Sequence, residues 1–252
     1  MLDKTGRYQF LAEPFHCDVT GRLFLGSLGN LMLNAADFHS SERSYGMRQL
    51  GMQHKTWVLS RLAVEMEAMP EAYTPFVVET WIESVMRYFT NRNFRVVGTD
   101  GRVYGYGRSV WAMIDTVTRQ PQDILAVNDG EITRWTVADK ECPIARSSRV
   151  KMGGNAQLAR TVDIAYNDID MNGHVNSVKY IEHVLDLFPV DRYKERGVRR
   201  IEMAYVAESH YGDRLALWQE RAGESEYNIR LTKTVGADAQ PVEVARCKVK
   251  FG

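Results

Sequence analysis

An internal repeat constrains this chain more than any other feature of its sequence. Two segments carry the same order of elements, a polar-capped amphipathic helix and then four strand-like runs, read from 3.6-residue and two-residue periodicity. In the first copy the pattern predicts a helix over residues 27–41 and strands near 54–69, 75–85, 89–99 and 102–117, with Asp100-Gly101 as a hairpin turn. In the second it predicts a helix over 176–188 and strands near 199–208, 213–222, 226–234 and 242–251. Val64-Glu65-Met66 recurs as Ile201-Glu202-Met203 and Trp81 as Trp218, each 137 residues later. Asp37 and Asp186, near the helix ends, lie 149 residues apart, so the first copy holds twelve additional residues between helix and first strand, within 41–54.

The second helix sets Val175, Val178, Ile181, Leu185 and Phe188 on one stripe and turns Lys179, Glu182 and Asp186 away. Such a stripe must be buried, and an antiparallel sheet wrapped around the helix buries it. The expected architecture is therefore α+β, two helix-and-sheet units side by side: residues 1–122, then a linker over 123–156 marked by Pro143 and Gly153-Gly154-Asn155, then 157–252.

Charge and length exclude several functions. Thirty-two basic residues balance thirty-two acidic ones, so no global field draws nucleic acid or an anionic membrane. The longest uncharged stretch, Leu23 to Ala36, has fourteen residues against the roughly 20 needed to cross a bilayer. The opening MLDKTGRYQF offers no apolar signal segment, and the three cysteines, Cys17, Cys142 and Cys247, are far apart and odd in number. A cytoplasmic protein without disulfides or a zinc ribbon is expected.

Chemistry concentrates in Asn167-Asp168-Ile169-Asp170-Met171-Asn172-Gly173-His174, which lies between a strand-like run at 161–166 and the second helix. Asp168, Asp170, Asn172 and Gly173 imitate the start of a calcium loop, but the twelfth position is Lys179 where a bidentate Glu is required. Turn building, with Asn176 as helix N-cap, accounts for most of these residues and leaves His174 without a reason. The remaining reading is an active site for acyl transfer to water: a carboxylate or His174 to deprotonate water, Asn172 to hold water or carbonyl, and the helix start to receive negative charge. Taken at the spacing of 149, Asp170, Asn172 and His174 correspond to Gly21, Leu23 and Leu25, so the first copy is expected to lack the polar set and to shape an apolar acyl cavity with residues such as Leu28 and Leu31.

At these residues the chain resembles the acyl-acyl-carrier-protein thioesterases known from plant plastids and bacteria. Ile169 to Ile181 follows the family pattern LDxNxHVNNVKYI, and Tyr205-Val206-Ala207-Glu208-Ser209 is similar to its Tyr-x-x-Glu-Cys stretch. Trp57 to Arg61, Val78 to Trp81 and Ser109 to Met113 are also family-like. The resemblance implies a double hot-dog fold and hydrolysis of the thioester between a fatty acyl chain and the phosphopantetheine of an acyl carrier protein. It implies catalytic roles for Asp170, Asn172, His174 and Glu208, with no cofactor and no metal. Ser209 stands where plant members carry a cysteine. A serine lacks the few per cent of thiolate that a cysteine offers near neutral pH, so direct attack by water is expected, with Ser209 an additional candidate at most.

An acidic carrier calls for a basic docking patch, for which Arg192, Lys194, Arg196, Arg199 and Arg200 are the candidates; an ordinary solvated connector is the competing account. An acyl-CoA thioesterase of the same fold and a non-catalytic acyl-binding protein are the alternative functions. The sequence leaves a homodimer open.

Overall fold

Period-two burial makes each strand-like run a strand. The computed structural model describes residues 2–234 and 240–252, and the chain divides into one unit ending at Arg146 and a second beginning at Ser147. In the first, β1 (Gly6–Leu11), β2 (Lys55–Met66), β3 (Pro75–Val85), β4 (Phe89–Gly98) and β5 (Val103–Asp115) pair antiparallel in the order β1-β3-β4-β5-β2. Helix α1 (Leu25–Ser41) buries Leu28, Met32, Ala35 and Ala36. Gly107 on β5 permits this approach, because a Cβ there would collide with the Met32 side chain. A short α2 (Met47–Gly51) fills part of the stretch that the repeat marks as additional.

The second unit repeats the plan. Strand β6 (Gln157–Asp163), helices α3 (Ser177–Leu185) and α4 (Val190–Glu195), and strands β7 (Val198–Tyr205), β8 (Arg214–Arg221), β9 (Glu226–Lys233) and β10 (Val242–Phe251) follow in sequence, and the sheet order is β7-β10-β9-β8-β6. Strand for strand this is the topology of the first unit, and the fold is a double hot-dog. Each sheet has one strand more than the four that follow its helix. β6 begins four residues before the run expected at 161, and β1, which periodicity alone did not single out, is a six-residue edge strand whose Gly6 to Leu11 pair with Thr80 to Pro75. On α3, Val178, Ile181 and Val184 are buried while Leu185 is only half-buried, because the helix ends there.

The segment expected as a linker is not a free connector. Its first part belongs to the first unit: Ile124 and Ile132 pack with Tyr45, Leu50, Ile82 and Met113, and Cys142 and Ile144 cover the buried Trp81. Polar ties hold it there. Lys140 reaches Glu79 at 3.2 Å, Arg108 donates to the carbonyl of Ile144 at 2.8 Å, and Arg146 meets Glu83 at 2.7 Å. Burial works to raise the Glu79 carboxyl, but Arg95 and Lys140 outweigh it and hold the group below the usual carboxylate range. The later part serves the second unit: Ser148 donates to Glu202 through its backbone N–H (2.6 Å) and its hydroxyl (2.8 Å), and Arg246 donates to the carbonyl of Val150 at 2.8 Å. The weak periodicity of 123–156 reflects a strap that touches the strands at isolated points, as where Thr136 bridges Ile82 and Val137 N–H donates to the Ile82 carbonyl at 2.8 Å.

Inside the first unit lies a buried polar cluster that sequence reading did not identify. His39 is inaccessible to solvent; its Nε2 donates to the carbonyl of Lys4 at 3.0 Å and its Nδ1 accepts from Arg92 at 3.2 Å. Arg92 also donates to Thr80 Oγ1 at 3.1 Å and Ser40 Oγ at 3.0 Å. Burial, then the neighbouring Arg92 and Arg43, push the His39 imidazole down to about 2.

Candidate active site

The polar segment ahead of α3 forms a tight loop closed by its own backbone. Asp170 N–H donates to the carbonyl of His174 at 2.8 Å, Gly173 N–H to that of Asp170 at 3.0 Å, and Ile169 bridges Val175. Gly173 has φ +80°, a conformation open to glycine at little cost. The Asp170 carboxylate organises the turn: Oδ1 accepts from Asn172 N–H at 2.8 Å and from His174 N–H at 3.4 Å, while Oδ2 faces Asn172 Nδ2 at 3.4 Å.

The first unit contains the same loop, three residues out of step with the spacing used in the sequence comparison. Asp18 N–H donates to the carbonyl of Arg22 at 2.8 Å and Gly21 N–H to that of Asp18 at 2.9 Å. Thr20 N–H donates to Asp18 Oδ1 at 2.7 Å, Cys17 bridges Leu23, and Gly21 has φ +74°. The structural counterparts of Asp170, Asn172, Gly173 and His174 are therefore Asp18, Thr20, Gly21 and Arg22, which replaces the expected Gly21, Leu23 and Leu25. The first copy kept the residues that shape the loop and changed the amide and the imidazole. Glu71, which bridges Arg22, stands 137 residues before Glu208, so that position too carries the same residue type in both copies.

Tertiary folding brings the β7–β8 connection to this loop, tied by a bond from Val175 N–H to the carbonyl of Ser209 at 2.8 Å. His174 Nε2 then lies 3.4 Å from Glu208 Oε2, with the two side chains 26% and 36% exposed, so both are reachable from solvent. His210, which the sequence motifs do not include, stacks edge-on against His174 with centroids 5.0 Å apart. The ligating atoms of His174, Glu208 and His210 all lie within 4.8 Å of one another. Only distance in sequence hid His210, since an imidazole two residues after a motif glutamate was visible.

Ser209 lies next to this group but faces inward. It is fully buried, near the buried Tyr180 hydroxyl, so it cannot meet a substrate without rearrangement. The start of α3 is capped from within: Asn176 N–H donates to the carbonyl of Asp168, Val178 N–H to Asn176 Oδ1 (2.9 Å) and Lys179 N–H to the carbonyl of Asn176 (2.9 Å). Those donors are already spent, which removes them from the oxyanion role expected of the helix start. Asp168 braces the same junction, with Oδ1 3.1 Å from His183 Nε2 and Oδ2 accepting from Ala165 N–H at 2.8 Å.

Sequence profiles match the chain along most of its length: that of the acyl-ACP thioesterase N-terminal domain over residues 5–128, and that of the C-terminal domain over 154–248. The chain belongs to the acyl-ACP thioesterase family. An oleoyl-acyl carrier protein thioesterase of Coriandrum sativum is 23% identical over 96% of this chain and 70% of its own length. A palmitoyl-acyl carrier protein thioesterase of Gossypium hirsutum is 25% identical over 60% of this chain, and there the match spans only 38% of the relative. Among solved structures, an acyl-ACP thioesterase from Bacteroides thetaiotaomicron is 48% identical, with a TM-score of 0.90 over 99% of this chain and 98% of that one. The 12:0-ACP thioesterase of Umbellularia californica, 20% identical with a TM-score of 0.84 over 100% and 98% of the two chains, shares the fold.

The five basic residues expected to dock a carrier do not form one free patch in this family member. Arg192 and Lys194 lie on α4 and Arg196 just after it; Arg192 donates to the Tyr227 hydroxyl at 3.1 Å, Lys194 pairs with Asp191 at 2.9 Å and Arg196 donates to Ser225 Oγ at 3.3 Å. Arg199 and Arg200 are strand residues of β7. Arg200 pairs with Glu202 at 2.8 Å with both side chains largely buried, so it is structural. Among the described residues no helix is long and apolar enough to cross a membrane.

Proposed function

We propose that this acyl-ACP thioesterase family member hydrolyses fatty acyl thioesters of acyl carrier protein by direct attack of water, with Glu208 and His174 as the proton-handling pair. The contact that carries this reading is the 3.4 Å approach of His174 Nε2 to Glu208 Oε2, two partly exposed groups; the Asn172 amide sits on the same loop as His174 and faces Asp170 Oδ2 at 3.4 Å. Glu208 takes a proton from water as its oxygen bonds to the thioester carbonyl carbon. Asn172 Nδ2 donates to the carbonyl oxygen as it gains charge. When the C–S bond breaks, the proton returns through His174 to the departing thiolate, leaving a free fatty acid and the carrier thiol. Asp170 has its carboxylate engaged by two backbone N–H groups and serves as the loop's organiser, acting through Asn172 and His174. The buried Ser209 takes no covalent part.

Release of the chain from its carrier would end fatty acid elongation, and the three free cysteines suit a reducing, cytoplasmic compartment. The first unit is assigned to the acyl chain. Replacing Leu28 or Leu31 should then shift chain-length preference, and an unchanged preference removes that assignment. Of the basic residues, Arg192, Lys194 and Arg196, on and just after α4, and Arg199 on β7 are assigned to meet an acidic carrier.

The deciding experiment measures thiol release from matched acyl-carrier and acyl-CoA substrates over a range of chain lengths. Faster turnover of the carrier substrates supports the proposal. Preference for acyl-CoA would redirect it to the sister activity on the same fold, and binding without turnover would make the chain an acyl-binding protein.

A further inference from the structure

His174, Glu208 and His210 supply two imidazoles and a carboxylate from two loops, the donor set that Zn²⁺ takes in open, three-ligand sites. With metal–ligand bonds of about 2.0–2.1 Å, tetrahedral coordination puts neighbouring ligand atoms about 3.3 Å apart. His174 Nε2 and Glu208 Oε2 are already at 3.4 Å. Only His210 must close in, from at most 4.8 Å, and its ring is on an exposed loop. That loop is held: His210 N–H donates to Asp213 Oδ2 at 2.9 Å, and the same Asp213 oxygen pairs with Lys233 at 2.7 Å. Approach of the exposed His210 to this pair would complete the set, with the fourth position left to solvent. Mixed imidazole and carboxylate ligands favour Zn²⁺ over Mg²⁺ or Ca²⁺, which take oxygen.

We propose that His174, Glu208 and His210 form a binding site for Zn²⁺ whose occupancy reversibly inhibits hydrolysis. The inhibitory half rests on the catalytic reading above, since the ion would take the Nε2 and Oε2 atoms that handle the proton. The metal-binding half rests on geometry alone.

The two halves separate in one set of measurements on the full-length protein. Calorimetric titration with ZnCl₂, and the visible absorption of Co²⁺ as a substitute, should report one ion per chain, with no comparable response to MgCl₂ or CaCl₂. His210→Ala and His210→Gln should each weaken binding by at least about tenfold, leave metal-free thioesterase activity at the wild-type level, and shift the inhibitory Zn²⁺ concentration upward by the same factor. Equal affinity in wild type and both variants, or no binding by the wild type, overturns the site. If binding depends on His210 but the Zn²⁺-saturated protein hydrolyses acyl carrier substrate at full rate, the metal site stands and the inhibitory half falls. Inactivity of the metal-free wild type would instead strike the proposed function and leave the titration result untouched.

Discussion

At the scale of single residues, the second copy of the loop separates chemistry from construction. Asp18 and Asp170 make the same backbone bonds, yet only Asp170 has an amide and an imidazole beside it, so the shared aspartate is there to build the turn. Asp170→Asn keeps one oxygen in place for the Asn172 and His174 N–H groups and is expected to retain activity within about tenfold of wild type, whereas Glu208→Gln, His174→Ala and Asn172→Ala should each lower kcat by about 10²-fold or more. Steady-state thiol release compares the four, and a collapse of Asp170→Asn to the level of Glu208→Gln would make Asp170 the base. Ser209→Ala should keep most of the turnover, because a hydroxyl buried away from solvent does not reach the substrate. Loss of all turnover there would restore a covalent route.

At the scale of elements, α3 matters for where it starts. Asn176 caps it, Asp168 holds the cap from behind, and the loop carrying His174 closes directly onto it. Asn176→Ala should destabilise the second unit by about 1 kcal/mol, read as a lower denaturant midpoint with unchanged slope. Its larger effect is expected on kcat, since the His174 backbone position follows the helix start; a kcat equal to wild type would show that the loop sets its own geometry. Asp37 lies twelve residues after the start of α1 and Asp186 nine after the start of α3, so pairing these two aspartates sets the loops three residues out of step. The loops align from the helix starts, where the hydrogen bonds are.

At the scale of the whole molecule, neutrality of the sequence hides the buried Arg92 guanidinium, which faces His39, Thr80, Ser40 and Tyr45. His39 stays neutral in the fold, accepting from Arg92 through Nδ1, but in the unfolded chain it takes a proton near its ordinary value of 6.5. Below that pH the unfolded state binds more protons than the folded one, so stability falls as pH falls. One such group gives a slope of about 1.4 kcal/mol per pH unit. From pH 6.5 to 5 the part of the loss due to His39 should be about 2 kcal/mol at most. Denaturant unfolding of wild type and His39→Gln at the two pH values checks this: the variant is less stable throughout but should show a flatter pH dependence, and parallel curves would rule the mechanism out. Electrostatic docking makes a separate claim. Raising ionic strength should increase KM for acyl carrier protein substrates, because screening weakens attraction to an acidic partner, and a salt-insensitive KM would remove the docking role of the basic residues.

The sequence by itself determined what is local or periodic. The repeat and nearly every strand follow from side-chain alternation, the α3 cap from Asn176, and the chemical loop from a dense polar run that a turn alone does not require. Tertiary structure decided what depends on chain segments meeting. Glu208 and His210 reach His174 from thirty-four and thirty-six residues downstream, Ser209 turns inward, Arg200 is taken by Glu202, and the nominal linker lies strapped to the sheets. The equivalence of the two loops was also out of reach, because what they share is a set of backbone hydrogen bonds around Asp and Gly. Side-chain spacing records such bonds poorly, since a turn fixes the path of the chain and leaves the neighbouring side chains free to change.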